Sequence, residues 1–153
     1  MNTIVVGYDG SDESAHALDR AVEYAKAFGA KLAVVAVGEL PAYVPPYGAD
    51  PIAGLPPAVD DPAVSLVDPE EIAEGVLSGA RERVGDVPAD FLTRVGSTDD
   101  ALIAVADERK AGLIVVGTRE PGFLGRLLEG SVSQDVAKRA HCDVLIVHPK
   151  HKG

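Results

Sequence analysis

Apolar residues follow two rhythms along this chain. Residues 3–6 (Thr-Ile-Val-Val), 32–37 (Leu-Ala-Val-Val-Ala-Val), 113–116 (Leu-Ile-Val-Val) and 144–147 (Val-Leu-Ile-Val) are apolar or β-branched at successive positions. Such runs mark strands covered on both faces, as in a parallel sheet. Residues 91–95 (Phe-Leu-Thr-Arg-Val) alternate instead and predict a more exposed third strand. Between the runs lie stripes spaced three and four apart, the signature of an amphipathic helix. Leu18, Ala21, Val22, Ala25 and Phe28 form the first, after a cap at Ser11 or Asp12 and before a stop at Gly29. Ile72, Val76, Ala80 and Val84 form the second. It opens on Asp68-Pro69-Glu70-Glu71, a capping side chain followed by proline and two acids in the first turn. Leu102, Val105, Ala106 and Arg109 mark a third helix, capped by Ser97 or Thr98, and residues 131–139 a fourth.

The order is therefore βαβ, an insert, then αβαβαβ, which implies a parallel sheet with helices on both faces and right-handed crossovers. The insert, residues 41–69, holds Pro41, Pro45, Pro46, Pro51, Pro56, Pro57, Pro62 and Pro69, which exclude a helix interior or a central strand. Tyr43, Val44, Tyr47, Ile52, Leu55 and Val59 make it more than a polar spacer. A surface loop and a flap or subunit contact are both consistent with that composition. At 153 residues the whole chain reads as one domain.

In such sheets ligands bind beyond the carboxyl ends of the strands, where the strand order reverses. Two loops carry chemistry suited to that crevice: residues 7–10 after the first strand and 117–130 after the fourth. The second runs Gly117-Thr-Arg-Glu-Pro-Gly122-Phe-Leu-Gly125-Arg-Leu-Leu-Glu-Gly130-Ser131. A strand feeding a glycine-punctuated loop and then a helix N-terminus is a cradle for an anion, because unhindered amides and the helix dipole both favour phosphate. An ordinary αβ loop of turn residues is the competing interpretation. If strands one and four are neighbours, the two loops face each other across one cleft.

Charge and motif inventory narrow the chemistry. A formal charge of −10 argues against non-specific binding of nucleic acid or of anionic membrane. No run approaches the ~18 apolar residues of a membrane span, and no signal peptide is expected. The single cysteine, Cys142, suits a cytoplasmic setting and is expected to pack as a small apolar group. The first turn, Gly7-Tyr8-Asp9-Gly10, is not a G-x-G-x-x-G fingerprint, and no G-x-x-x-x-G-K-[ST] loop occurs. A phospho-accepting receiver would suit Asp9 and Asp12 but wants an aspartate at the end of strand three, where Arg94-Val95-Gly96 stands. His16, His141, His148 and His151 form no metal-binding spacing.

Thr3-Ile-Val-Val-Gly-Tyr-Asp-Gly-Ser, Gly96-Ser-Thr-Asp-Asp-Ala-Leu-Ile, Gly112-Leu-Ile-Val-Val-Gly-Thr-Arg, Gly130-Ser-Val-Ser and Cys142-Asp-Val-Leu-Ile-Val-His together resemble the universal stress protein family over essentially the whole chain. The resemblance implies a doubly wound five-stranded parallel sheet in the order 3-2-1-4-5, with the Pro-rich insert after strand two. It implies that Asp9 holds the adenine or ribose side of a nucleotide, with Gly7 and Tyr8 beside it. Val37 would lie against the base. Gly117, next to Val116, would let the chain pass close to ribose and phosphates, while Gly130, Ser131, Val132 and Ser133 would bind phosphates at a helix start. Nucleotide-binding members carry a G-2x-G-9x-G-[S/T] pattern, and here its second glycine is replaced by Glu120. Glutamate brings negative charge toward a polyphosphate and, where the glycine needs positive φ, about 1–2 kcal/mol of strain. Arg119 and Arg126 can offset part of the repulsion, and Gly122 can supply flexibility. The ranked expectations are ATP, then an AMP-like or cyclic nucleotide, then no nucleotide.

Three functional classes follow: a non-catalytic nucleotide-sensing stress module, a slow ATPase or nucleotidyl transferase, and a domain that works through protein contacts alone. In the second, Asp9 or Glu120 would position water or magnesium, an ion that needs only one or two carboxylates plus phosphate oxygens. The apolar edge strand Val144, Leu145, Ile146 and Val147 invites pairing. The resemblance implies that it pairs with its two-fold mate in a homodimer.

Overall fold

The computed structural model describes residues 2–38, 68–118 and 132–148. Nine elements alternate along them: β1 Thr3–Gly7, α1 Asp12–Phe28, β2 Lys31–Gly38, α2 Pro69–Val84, β3 Ala89–Val95, α3 Thr98–Arg109, β4 Leu113–Gly117, α4 Val132–Arg139 and β5 Asp143–Val147. The strands form one parallel sheet in the order β3-β2-β1-β4-β5, as expected, with β3 and β5 at its edges. Of the 41–69 insert, residues 41–67 lie outside the described residues, and Pro69 is already the first residue of α2.

Helices cover both faces. Ile4, Val6, Leu32, Val34, Leu113 and Val115 point toward α1 and α2, where they meet Leu18, Ala21, Val22, Leu77 and Val84. Their alternate neighbours Val5, Ala33, Val35, Ile114 and Val116 point toward α3 and α4, where they meet Leu102, Val105, Ala106 and Val136. Two-faced burial is why these strands read as unbroken apolar runs. The edge strand β3 is only half-buried from Ala89 to Arg94, in line with its alternating sequence. Cys142 is half-buried against the α3/α4 cluster, and burial together with Asp143 and Asp107 raises its thiol above the usual range.

The caps stand where the sequence places them. The Ser11 hydroxyl accepts from the Ser14 amide and Asp68 from the Glu70 amide, and the Ser97 hydroxyl accepts from Asp100. Gly29 ends α1 in the left-handed region at φ 64°, which glycine adopts without a Cβ clash. Two stripe members depart from expectation. Phe28 is 55% exposed and stacks on Tyr24, while Ala25 of the same turn faces the core. Ile72 is 53% exposed, and α2 buries Ala73, Leu77, Ala80 and Val84 instead. One residue is about 100° of helix rotation, so choosing Ala73 over Ile72 turns the inward seam to a small residue that lets helix and sheet approach closely. Arg109 is likewise outside the core and pairs with Asp90.

Two glycines fix how chain segments cross the top of the sheet. A Cβ on Gly38 would lie 2.3 Å from the Pro69 carbonyl oxygen, so the end of β2 and the start of α2 touch backbone to backbone. A Cβ on Gly117 would lie 2.6 Å from the Glu13 carbonyl oxygen. No helix among the described residues is long and apolar enough to cross a membrane.

Candidate functional site

The winding runs from β1 through β2 to β3 on one side, then returns to place β4 and β5 on the other. Strand order therefore reverses between β1 and β4, the position at which such sheets open a crevice. Ile4, Val5 and Val6 pair with Leu113, Ile114 and Val115, so the two strands finish within a residue of each other and their loops leave side by side.

The turn after β1 is locked by its own side chains. The Tyr8 amide donates to the Val35 carbonyl at 2.9 Å and so carries the pairing with β2 one residue past the strand. The Asp9 Oδ1 accepts from the Ser11 amide at 2.9 Å, an Asx turn, while the Asp9 amide donates to the Ser14 Oγ at 3.2 Å. The Ser14 hydroxyl then donates to the Ser11 carbonyl at 3.0 Å. Gly10 takes φ 84°, the left-handed turn that lets α1 begin at once. The result is an exposed Asp9 carboxylate held at the mouth, directly before the first turn of α1.

On the β4 side, that same first turn of α1 passes over Gly117. Gly117 is therefore demanded by the fold itself, in addition to any ligand. The Thr118 amide donates to the Val147 carbonyl at 3.0 Å, so β4 and β5 stay paired to the loop's edge.

The expected residues separate into groups. Gly7, Asp9, Val37 and Gly117 share the carboxyl end of the sheet. Val37 is half-buried on the α3/α4 face, and Val116 is buried on the same face. Tyr8 leaves only its backbone at the mouth, because its side chain turns to the α1/α2 face and its hydroxyl would lie 3.1 Å from a Cβ on Gly79. In the first turn of α4, Val132 faces outward and Ser133 is 4% exposed, packed inward. Arg119, Gly130 and Ser131 lie outside the described residues, as does Glu120. Sequence reasoning missed Ser14 and Leu102. Ser14 repeats the capping spacing after Ser11, a local signal that was available. Leu102, whose Cδ1 would lie 3.3 Å from a Cβ on Gly7, closes the crevice floor from α3.

The electrostatics at the two ends of the sheet differ. First turns at the carboxyl end carry Asp12, Glu13, Glu70, Glu71, Asp99 and Asp100, whereas last turns at the amino end carry Lys26, Arg81, Arg83 and Arg109. Each set complements its helix dipole. Asp99 is held below the usual carboxylate range, first by the Ser97 hydroxyl and then by backbone amides and Arg139. These carboxylates repel an entering anion, so backbone amides are the groups at this rim suited to receive one. A recess lined by Asn2, Lys26, Gly29, Lys31, Asp86 and Pro88 lies at the opposite, amino end. Helix C-termini and strand starts meet there, away from the switch point. No cluster of His, Cys, Asp and Glu among the described residues is arranged to hold a metal ion.

Comparison with known proteins agrees with this geometry. The model of the universal stress protein family matches residues 1–148. A universal stress protein of Mycobacterium tuberculosis, Rv1636, is 39% identical over 149 residues, covering 95% of each chain. A universal stress protein crystallised in complex with cAMP superposes with a TM-score of 0.69 at 34% identity, covering 96% of this chain and 97% of its own. An Archaeoglobus fulgidus universal stress protein in complex with dAMP shares the fold, with a TM-score of 0.63 at 24% identity and coverage of 95% and 97%. This chain belongs to the universal stress protein family.

Proposed function

We propose that this protein binds an adenine nucleotide across the carboxyl ends of β1 and β4, with ATP the favoured ligand, and acts as a non-catalytic regulatory module in a stress response. The observation that carries the proposal is the pairing of β1 with β4, which sets the Asp9 turn and the Gly117 end beside each other at the switch point. In this assignment Asp9 accepts from a ribose hydroxyl or the adenine amino group. Val37 packs on the base. The backbone of Gly7, Tyr8, Val116 and Gly117 lines the sugar, and Arg119, Gly130, Ser131, Val132 and Ser133 receive the phosphates. A magnesium ion would accompany ATP through phosphate oxygens and at most one or two carboxylates. The Asp9 Oδ1 accepts from the Ser11 amide, which orients the carboxylate at the mouth to accept from a ligand hydroxyl or amino group.

The cAMP complex of a relative favours a second version, in which the ligand carries a single phosphate. Glu120 fits that version, since a lone phosphodiester brings less charge against a carboxylate than a triphosphate does. Denaturing the purified protein and weighing the released small molecule, followed by calorimetric titration with ATP, AMP and cAMP, decides between them. Co-purified or titrated ATP binding more tightly than cAMP is the expected result. Preference for cAMP installs the second version, and no binding of any of the three at millimolar concentration ends both. Turnover of ATP that disappears in Asp9→Ala would replace the module with an enzyme. We further assign the open edge of β5 to pairing with a second copy in a homodimer, and the protein to the cytoplasm. Light scattering of the wild type and of Leu145→Pro tests the dimer, and a monomeric wild type refutes it.

A further inference from the structure

Among the described residues, α4 buries the fewest side chains of the four helices. Its eight residues bury only Ser133 and Val136, and its first turn stands at the carboxyl end of β4. Val136 and the inward-packed Ser133 seat one face of the helix near its start. Its far end is held by Arg139 in the last turn, about 10 Å along the axis from Val132 at 1.5 Å per residue. The Arg139 Nη1 donates to the Asp99 Oδ2 at 2.9 Å and its Nη2 to the Asp100 Oδ1 at 2.7 Å.

The receiving end is itself fixed. Ser97 caps α3, its hydroxyl donates to the Asp99 carboxylate, and the Gly96 amide donates to the Gly38 carbonyl at 3.1 Å. A rigid guanidinium fork thus joins the last turn of α4 to the first turn of α3, which in turn is tied to the end of β2. Asp135, one turn back on α4, adds attraction for the same guanidinium. Half-exposed ion pairs of this kind contribute little to global stability, so their value lies in the geometry a planar two-donor fork imposes.

We infer that Arg139 is a positioning residue, which aims the first turn of α4 at the phosphate of the bound nucleotide without touching it. The inference rests on the proposed nucleotide site and adds to it a residue remote from the ligand. The test compares wild type, Arg139→Ala and Arg139→Lys for binding of ATP, AMP and adenosine by calorimetry, with hydrogen exchange of the α4 amides measured on the unliganded proteins. Arg139→Ala is expected to weaken ATP and AMP by about 5- to 10-fold, the size of a modest coupling, and to leave adenosine within about twofold. Arg139→Lys, which keeps the charge but loses the fork, is expected to fall between. Exchange should quicken in α4 and stay unchanged in α1.

Unchanged ATP affinity in Arg139→Ala overturns the inference, and so does an equal loss for ATP and adenosine. If wild type binds none of the three, it is the nucleotide site that fails. The exchange pattern then still decides whether Arg139 directs α4, and unchanged exchange refutes it.

Discussion

The two faces of the sheet are built to different specifications. On one, α1 with seventeen residues and α2 with sixteen lay down a continuous layer around Leu18, Leu77 and Val84. On the other, α3 with twelve and α4 with eight offer Leu102, Val105 and Val136. The thick face carries the fold. On the thin face the last turn of α4 is held by ion pairs, and the proposed phosphate end of the site sits at the other end of that helix. An element that must meet a ligand is better placed where packing does not already dictate its position.

The contrast can be broken most forcefully from the thick side. Leu77 is fully buried between α2 and the sheet, and Leu77→Ala should cost about 2–5 kcal/mol of unfolding free energy, read by denaturant melts. Next come the backbone crossings. Gly117→Ala and Gly38→Ala each force a Cβ onto a carbonyl oxygen and should cost about 1–3 kcal/mol even without ligand. An unliganded Gly117→Ala as stable as wild type would mean that this glycine serves the nucleotide alone. On the thin face, Val136→Ala removes two methyl groups and should cost about 1–2 kcal/mol at roughly 0.8 per buried carbon. The smallest effect is acid-dependent. Asp99 has a folded pKa below its unfolded value, so its contribution is complete above about pH 4 and is lost as pH falls through the folded value. Asp99→Asn should flatten stability against pH below about 4, by under about 1 kcal/mol for so exposed a pair.

What could be read in advance follows the same division. Strands buried on both faces announce themselves as apolar runs, and caps are local, so element order and the start of every described helix with a cap were legible, while sheet order came only with the family resemblance. Ile72 and Phe28 misled because periodicity fixes a stripe's width but not which side of it meets the sheet, and α2 buries Ala73 there. Strand alternation sends the Tyr8 side chain to the opposite face from Val5 and Val37, which leaves its backbone for the proposed ligand. The meeting of Gly117 with Glu13 and the reach of Arg139 to Asp99 join residues far apart in the chain, and no local pattern encodes either. The site was legible as two loops on neighbouring strands, and its supports were not.

The contact between Gly38 and Pro69 has a consequence for how this family member can vary. The last residue of β2 and the first of α2 meet there, so the two ends of the stretch between are already closed against each other like a clasp. Doubling or halving its length alters the closure cost by only about 0.6 kcal/mol. Any insertion or deletion between Gly38 and Pro69 starts and ends at the same clasp of one glycine and one carbonyl.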